Sequence, residues 1–355
     1  MIEIQKISVF NLNSLDKNDF MLNNMNSLTK LHLKNCQEYN TLMQKLEKIK
    51  DKYQSLPDVP FIPVRLFKHA ELLSVQKSDI IKTMTSSGTS GQNVSKIFLD
   101  KETSQLQVRV LSKIMSDFIG KKRLPMLIID TKSIISNRLK FSARTAGVLG
   151  FSMFGREVVF ALDDDMTFNF QRVKDFLDKY KAENILIFGF TFIIWKHFVL
   201  ELEKLGKKVD LSKAILLHGG GWKQLENQSV DNIEFKKRIF KVSEISKIHN
   251  YYGMVEQTGS IFVECEHGFF HSPSFSDLII RNHKTHSPEK NGVEGLIQLL
   301  SVIPKSYPGH SILTEDLGTI HGEDDCICGR MGKYFKVHGR IKSAEIRGCS
   351  DTYSS

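Results

Sequence analysis

Thr85-Ser86-Ser87-Gly88-Thr89-Ser90-Gly91-Gln92 carries five hydroxyls and two glycines in eight residues. It lies between Asp79-Ile80-Ile81 and the strand-like run Ile97-Phe98-Leu99. Glycine lets a backbone turn sharply and come close to a ligand, and hydroxyls with free N–H groups donate hydrogen bonds to anionic oxygens. This is the chemistry of a loop that folds over phosphates. It is not the common nucleotide-binding P-loop, which ends in Gly-Lys-Ser/Thr, because no lysine follows Gly91. The same composition also suits a flexible linker, so the reading depends on the flanking sequence.

Upstream, Leu28, Leu31, Leu42, Leu46 and Ile49 recur at helical steps and predict a helix near 25–50, with Cys36 on its apolar face. Pro57, Pro60 and Pro63 end it and give an extended approach to the loop. Downstream comes a helix with Leu106, Val110, Leu111, Ile114 and Phe118 on one face. Short apolar strands then alternate with helices. Met126–Asp130, Glu157–Leu162, Asn184–Phe188 and Ala214–Leu217 read as strands, and Phe168–Tyr180 and Phe192–Leu205 as helices. That alternation predicts an α/β fold with a largely parallel sheet covered by helices. After about residue 260 the pattern is strand-rich and predicts a more antiparallel part. The expected organisation is an N-terminal helical segment over 1–80, an α/β nucleotide-binding core over 81–260, a strand-rich continuation over 261–340, and a tail over 341–355.

The 355 residues are 41% hydrophobic and 25% charged, as in an ordinary soluble globular protein with a large core. The net charge of +9 is modest. In Lys45-Leu46-Glu47-Lys48-Ile49-Lys50 acids interleave with lysines, a solvated surface rather than a nucleic-acid footprint. The N-terminus lacks a signal-peptide layout, and no run of about 18 apolar residues predicts a transmembrane segment. The five cysteines are odd in number and spread out, which predicts a reducing cytoplasmic setting.

Four further segments carry chemistry. His218-Gly219-Gly220-Gly221 ends a predicted strand and would let a planar base lie against the backbone, or form a tight turn. Asn250-Tyr251-Tyr252-Gly253-Met254-Val255-Glu256-Gln257-Thr258-Gly259 offers a ring to stack on a base and, four residues later, a carboxylate for a phosphate-bound metal. Thr314-Glu315-Asp316-Leu317-Gly318 sets acids between two strand-like runs, where a carboxylate accepts from ribose hydroxyls. Gly339-Arg340 supplies a guanidinium for phosphate or ribose.

In this order and spacing the segments resemble the adenylate-forming superfamily of acyl-CoA and aryl-CoA synthetases. The resemblance implies that superfamily's large N-terminal-type domain, with ATP and magnesium as cofactors. Ser87, Gly88, Thr89, Ser90 and Gly91 match its phosphate loop. Gly219–Gly221, Tyr252, Gly253 and Met254 match its adenine site, Glu256 its magnesium ligand, Asp316 its ribose aspartate and Arg340 its Gly-Arg motif. Phe141-Ser142-Ala143-Arg144, Gly155, Tyr252–Gly259, Ser306-Tyr307-Pro308-Gly309-His310 and Arg347–Thr352 look more narrowly like the acyl-protein synthetase of the bacterial luciferase fatty-acid reductase system. That narrower likeness implies a fatty acid substrate and an acceptor protein, such as a reductase subunit or carrier protein.

The sequence also departs from the superfamily. Val255 replaces the threonine expected beside the α-phosphate, so Thr89, Ser90 or Thr258 would have to serve that oxygen. The phosphate-loop lysine is absent, and Lys96 sits two residues too far on to inherit its role. Only 15 residues follow Arg340, so the mobile C-terminal domain with its catalytic lysine is expected to be absent. Cys349 then becomes the candidate acyl acceptor, with Arg347 favouring its thiolate, and the resemblance implies that role.

Cys265, a histidine at 267 or 271, Cys326 and Cys328 form a Cys₃His set suited to tetrahedral zinc. Resemblance to phenylacetate-CoA-ligase-like members points to His271 rather than His267. Expected overall is an AMP-forming acid–thiol ligase, with Glu256 and Cys349 catalytic. A coenzyme A or carrier-protein ligase without a covalent cysteine, and a non-catalytic nucleotide- or acyl-binding scaffold, are the rival readings.

Overall fold

The N-terminal helical periodicity resolves into two helices rather than one. The computed structural model describes residues 6–86, 94–136, 143–222 and 229–341. In it α1 (Ser14–Asn35) and α2 (Gln37–Lys45) are separated at Cys36, whose backbone is extended. Asn13 caps α1 by accepting from the Asp16 N–H. Leu46 and Ile49 continue the apolar spacing in sequence, yet both lie past α2 and are exposed. Cys36 is buried at the break and packs in a core cluster with Tyr39, Met43, Phe67, Tyr307 and Ile312.

Two compact units form. The first contains the described residues up to Phe118 and those from Gly253 onward, and the second is Ile119–Tyr252. After α2, the first unit runs through β1 (Ile62–Pro63), α3 (Leu66–His69), the antiparallel pair β2 (Ile80–Thr85) and β3 (Lys96–Asp100), and α4 (Lys101–Ile119).

The second unit is α/β. It contains β4 (Leu124–Thr131), α5 (Ser133–Ser136), α6 (Ala143–Ser152), β5 (Gly155–Leu162), α7 (Phe170–Lys179), β6 (Ile185–Phe190), α8 (Thr191–Ile194), α9 (Leu200–Lys204), β7 (Ala214–Gly219), α10 (Asn232–Ser243) and β8 (Lys247–Gly253). A π-helical turn, Trp195–Val199, joins α8 to α9. The strands run parallel in the order β5-β4-β6-β7-β8. Every residue of β6 and β7 is buried, as in strands covered on both faces. Asp130, on β4, is paired bidentately by Arg144 of α6, with Nε 2.7 Å from Oδ2 and both side chains buried. Loss of either partner would strand a buried charge, at a cost of about 3–5 kcal/mol. Phe151 of α6 stacks on Phe188 of β6, with ring centroids 4.7 Å apart.

The chain then returns to the first unit as β9 (Ile261–Glu264), β10 (Phe270–His271), β11 (Ser276–Arg281), β12 (Gly295–Ser301), β13 (Ser311–Glu323) and β14 (Lys333–Arg340). These are antiparallel in the order β11-β12-β13-β14-β10-β9, and β1 adds to β13 in parallel. Thr314–Gly318 therefore does not separate two strands but lies within the 13-residue β13. The N-terminal segment is stitched into this sheet by Lys17, which is fully buried and donates to Ser272 O (2.9 Å) and Ser272 Oγ (2.7 Å). Burial lowers its pKa to about 8. Among the described residues no helix is long and apolar enough to cross a membrane.

His32, His310 and His218 are buried in the neutral form. His32 bonds Ser74 Oγ at 2.8 Å and Pro304 O at 3.2 Å, and its ring lies 4.8 Å from that of His310. His310 meets Thr29 Oγ1 at 3.0 Å, and in the second unit His218 meets Thr191 Oγ1 at 3.0 Å. Burial lowers the pKa of His32 and His218 to about 3, and that of His310 well below the ordinary value. The unfolded chain protonates these rings below about pH 6.5, whereas the folded chain does not. Stability therefore falls as pH drops below that point, by up to about 1.4 kcal/mol per pH unit for each ring. Urea denaturation between pH 7 and 5 is expected to show this loss, with a shallower slope in His32→Gln. A flat profile would contradict neutral burial.

Candidate active site

The feet of the hydroxyl-rich loop are closed by β2 and β3. Thr85 pairs with Lys96, Ser86 N donates to Ser95 O at 3.0 Å, and Ser95 N donates to Ser86 Oγ at 2.9 Å. Ser87, Gly88, Thr89, Ser90 and Gly91 lie outside the described residues, as does Cys349.

Glu256 sits in the short helical turn Val255–Gln257, directly after Gly253 and Met254, and is buried. The turn is clamped from one side by Ser306–His310. Tyr307 OH donates to Glu256 O at 2.9 Å, and Gln257 Nε2 donates to Gly309 O at 2.8 Å and Leu299 O at 3.1 Å. A Cβ on Gly309 would overlap the Tyr307 ring and stand 2.9 Å from Glu256 O, so only glycine lets the two segments approach this closely. Thr258 Oγ1 donates to Val255 O at 2.7 Å, which commits that hydroxyl to the turn itself.

Burial pushes the Glu256 carboxyl above the ordinary carboxylate range. The neighbouring Ser95 hydroxyl, then the Arg340 guanidinium and the Lys68 ammonium, pull in the opposite direction. Ser95 Oγ is itself buried and, among the described residues, falls short of a full hydrogen bond with any group. A carboxyl desolvated in this way favours a cationic partner over standing ionised alone.

Asp316 and Arg340 face each other across β13 and β14, with Arg340 Nε 3.3 Å from Asp316 Oδ1. Asp316 N donates to Thr314 Oγ1, whose hydroxyl donates to Ile297 O at 2.7 Å. The neighbouring Glu315 is ion-paired with Arg65, just ahead of α3. These contacts fix the backbone and orientation of the acid proposed for ribose.

Gly219, Gly220, Gly221 and Tyr252 belong to the second unit. They lie at the carboxyl ends of β7 and β8, the end of a parallel sheet where ligands bind. Gly219 registers with Tyr251, whose ring fills the space a Gly219 side chain would take. Gly220 adopts φ +80°, and Gly221 opens onto free space. Side chains alternate along a strand, so Tyr252 projects from the face opposite Tyr251.

Among the described residues one His/Cys/carboxylate group is tight enough for a metal ion. The ligand atoms of Cys265, His271, Cys326 and Cys328 all lie within 4.8 Å of one another. Tetrahedral zinc sets its ligand atoms about 3.5–4 Å apart, so the donor set fits. Cys265 and the Cys326/Cys328 pair are each presented from a tight turn that closes on a glycine. Gly268 N donates to Cys265 O at 3.0 Å and Gly329 N to Cys326 O at 2.9 Å, both glycines having φ near +80°. His267 is exposed and outside the cluster, which leaves His271 as its histidine. Arg330 braces the second turn through Asp117 at 2.9 Å, Glu266 at 3.0 Å and the Phe118 ring at 4.3 Å.

Sequence reasoning missed the roles of Tyr307, Gly309, Gln257 and Ser95. Ser306–His310 stood out only as a motif, and nothing in it signals that it packs on a turn 51 residues away.

A family model described as acyl-protein synthetase, LuxE, matches residues 6–355. The chain belongs to that family. The long-chain-fatty-acid–luciferin-component ligase of Vibrio harveyi is 22% identical over 331 residues, 90% of this chain and 83% of the relative. That of Aliivibrio fischeri is 23% identical over 278 residues, 77% of this chain and 72% of the relative. Among solved structures, a 2-hydroxyisobutyryl-CoA ligase in complex with an acyl-AMP matches with a TM-score of 0.71 at 15% identity, covering 94% of this chain and 69% of its own. A long-chain-fatty-acid-CoA ligase from Archaeoglobus fulgidus matches with a TM-score of 0.51 at 14% identity, over 75% and 52%. The fold is thus that of adenylate-forming ligases. The activity of the acyl-protein synthetase family is ATP-dependent activation of a fatty acid and its transfer to a protein, an acid–thiol ligase reaction.

Gly309→Ala is expected to displace the Glu256 turn and cut fatty-acid-dependent ATP–pyrophosphate exchange by roughly 10²-fold, the scale of an ångström-sized misplacement. Wild-type exchange in a folded Gly309→Ala protein would show that the clamp does not set the site.

Proposed function

We propose that this acyl-protein synthetase activates a long-chain fatty acid at Glu256, Asp316 and Arg340 and passes the acyl group to Cys349. The observation that carries the reading is the buried Glu256 carboxyl. It lies beside the foot of the hydroxyl-rich loop and within electrostatic reach of Arg340 and Lys68. Asp316 accepts from the ribose hydroxyls while Arg340 holds it in place. Tyr252, Gly220 and Gly221 serve the adenine, and Ser87–Gly91 the phosphates. Glu256 holds magnesium, which when bound offsets charge on the phosphate oxygens.

The fatty carboxylate oxygen attacks the α-phosphorus of ATP. The bond to the bridging oxygen breaks, and its electron pair leaves on pyrophosphate. The Cys349 thiolate then attacks the acyl carbonyl, AMP departs, and a thioester remains for transfer to an acceptor such as a reductase subunit or carrier protein.

Glu256→Gln is expected to abolish most fatty-acid-dependent ATP–pyrophosphate exchange while the protein stays folded. Cys349→Ser should retain exchange but lose the hydroxylamine-labile acyl group that wild type acquires from ATP, magnesium and fatty acid. If Cys349→Ser passes acyl groups to the acceptor at the wild-type rate, acylation is direct and Cys349 is not the intermediate.

Cys265, His271, Cys326 and Cys328 are proposed to hold a structural zinc. Elemental analysis of protein from zinc-replete cells is expected to find about one zinc per chain. Cys326→Ser should lose the metal and lower the unfolding midpoint. Folded, zinc-free wild type would rule the site out.

A further inference from the structure

The hydroxyl-rich loop has no lysine after Gly91, yet a departing pyrophosphate needs cationic partners. A cavity of about 340 Å³ opens beside the foot of that loop. It is lined by Phe67, Lys68 and His69 of α3, by Glu71, by Val94 just ahead of β3, and by Lys96 at the start of that strand. Its size lies at the lower end of ordinary ligand pockets.

Strand pairing and packing fix this cavity at the foot of the loop, where Lys96 pairs with Thr85. Val94 and Lys96 flank Ser95, whose hydroxyl neighbours the Glu256 carboxyl. Lys68 lies within electrostatic reach of the same carboxyl. The short helix that carries Lys68 is anchored, because Phe67 is buried in the core cluster and Val64 N donates to Leu313 O of β13 at 2.9 Å. The cavity and its anchored wall therefore gather two ammonium groups and an imidazole at the foot of the hydroxyl-rich loop, with Lys68 within electrostatic reach of the carboxylate assigned to magnesium. The one acid in the lining, Glu71, is ion-paired with Lys77 at 3.4 Å. Lys68 is half-buried, where a charge is less screened, and Lys96 is exposed.

Resting on the adenylation reading above, we propose that Lys68 and Lys96, with His69, form the subsite for the β- and γ-phosphates of ATP and for the leaving pyrophosphate. When the carboxylate oxygen bonds to the α-phosphorus, the bond from that phosphorus to the α,β-bridging oxygen breaks. Its electron pair becomes negative charge on pyrophosphate, and no proton or further reactant is required. Lysines near that oxygen stabilise the charge as it develops. Lys96 reaches the subsite from a strand rather than from the loop, so its offset in sequence is no obstacle.

The test uses full-length protein and inorganic pyrophosphate with magnesium. Isothermal titration gives its dissociation constant, and exchange kinetics give the Michaelis constants for pyrophosphate and fatty acid. Lys68→Met and Lys96→Met are each expected to weaken pyrophosphate binding about tenfold, the effect of one charge-assisted contact. Lys68→Arg should recover most of the loss, and the fatty acid constant should not move. Circular dichroism and unfolding midpoints identify any variant that fails to fold, and the exposed Lys96 provides the independent variant.

Unchanged pyrophosphate constants in the folded double Met variant, with exchange intact, would overturn the subsite and leave adenylation standing. Pyrophosphate binding that is lost in the variants, in a wild type with no exchange, would support the subsite and remove the adenylation reading.

Discussion

A carboxyl buried against its own electrostatic interest is the constraint around which the first unit is arranged. Glu256 is almost wholly withdrawn from water, and burial outweighs the groups that would ionise it. It is held there because its turn is trapped beneath Tyr307 and Gly309. That segment is supported in turn by α1, through Thr29 on His310 and His32 on Pro304 O. The N-terminal helix therefore acts on the site at one remove. Its Thr29 and His32 hold the segment that holds the carboxyl, and a cation at Glu256 relieves the remaining electrostatic cost.

The same helix is anchored again at its start. Lys17 reaches Ser272, one residue beyond His271, and Phe10 packs edge-on against the His271 ring at 6.2 Å. Met331 N donates to Phe10 O at 2.9 Å, just past the Cys326–Gly329 turn. The Cys/His cluster thus ties together two hairpin turns and the N-terminal segment, which have few regular ladder bonds of their own. A metal there would act on the frame and not on the reacting atoms, which is why its loss should register first in stability.

Local pattern made much of this fold legible. The apolar runs of β4, β6 and β7 and the amphipathic face of α4 are dictated by burial on two faces or one, and periodicity records that directly. Asp316 and Arg340 were visible as chemistry-bearing residues, but not as cross-strand partners. That pairing depends on the β13–β14 register, which includes two irregularities. The break at Cys36 escaped notice because leucine spacing continues through it into residues that the structure leaves in water. Ser95 and Lys68 carry no local signature, and Tyr307 and Gly309 stand out only as members of a motif. Their importance comes from contacts closed across tens to hundreds of residues, between segments a linear reading treats separately.

The central claim is that the carboxylate of the fatty acid attacks the α-phosphorus of ATP. Fatty acid labelled with heavy oxygen in its carboxyl group, turned over by wild-type protein with ATP and magnesium and hydroxylamine as surrogate acceptor, tests it directly by mass spectrometry of the nucleotide. The account predicts AMP carrying one heavy oxygen atom and unlabelled pyrophosphate. Heavy oxygen in inorganic phosphate, with ADP as the nucleotide product, would mean an acyl phosphate route and would contradict it.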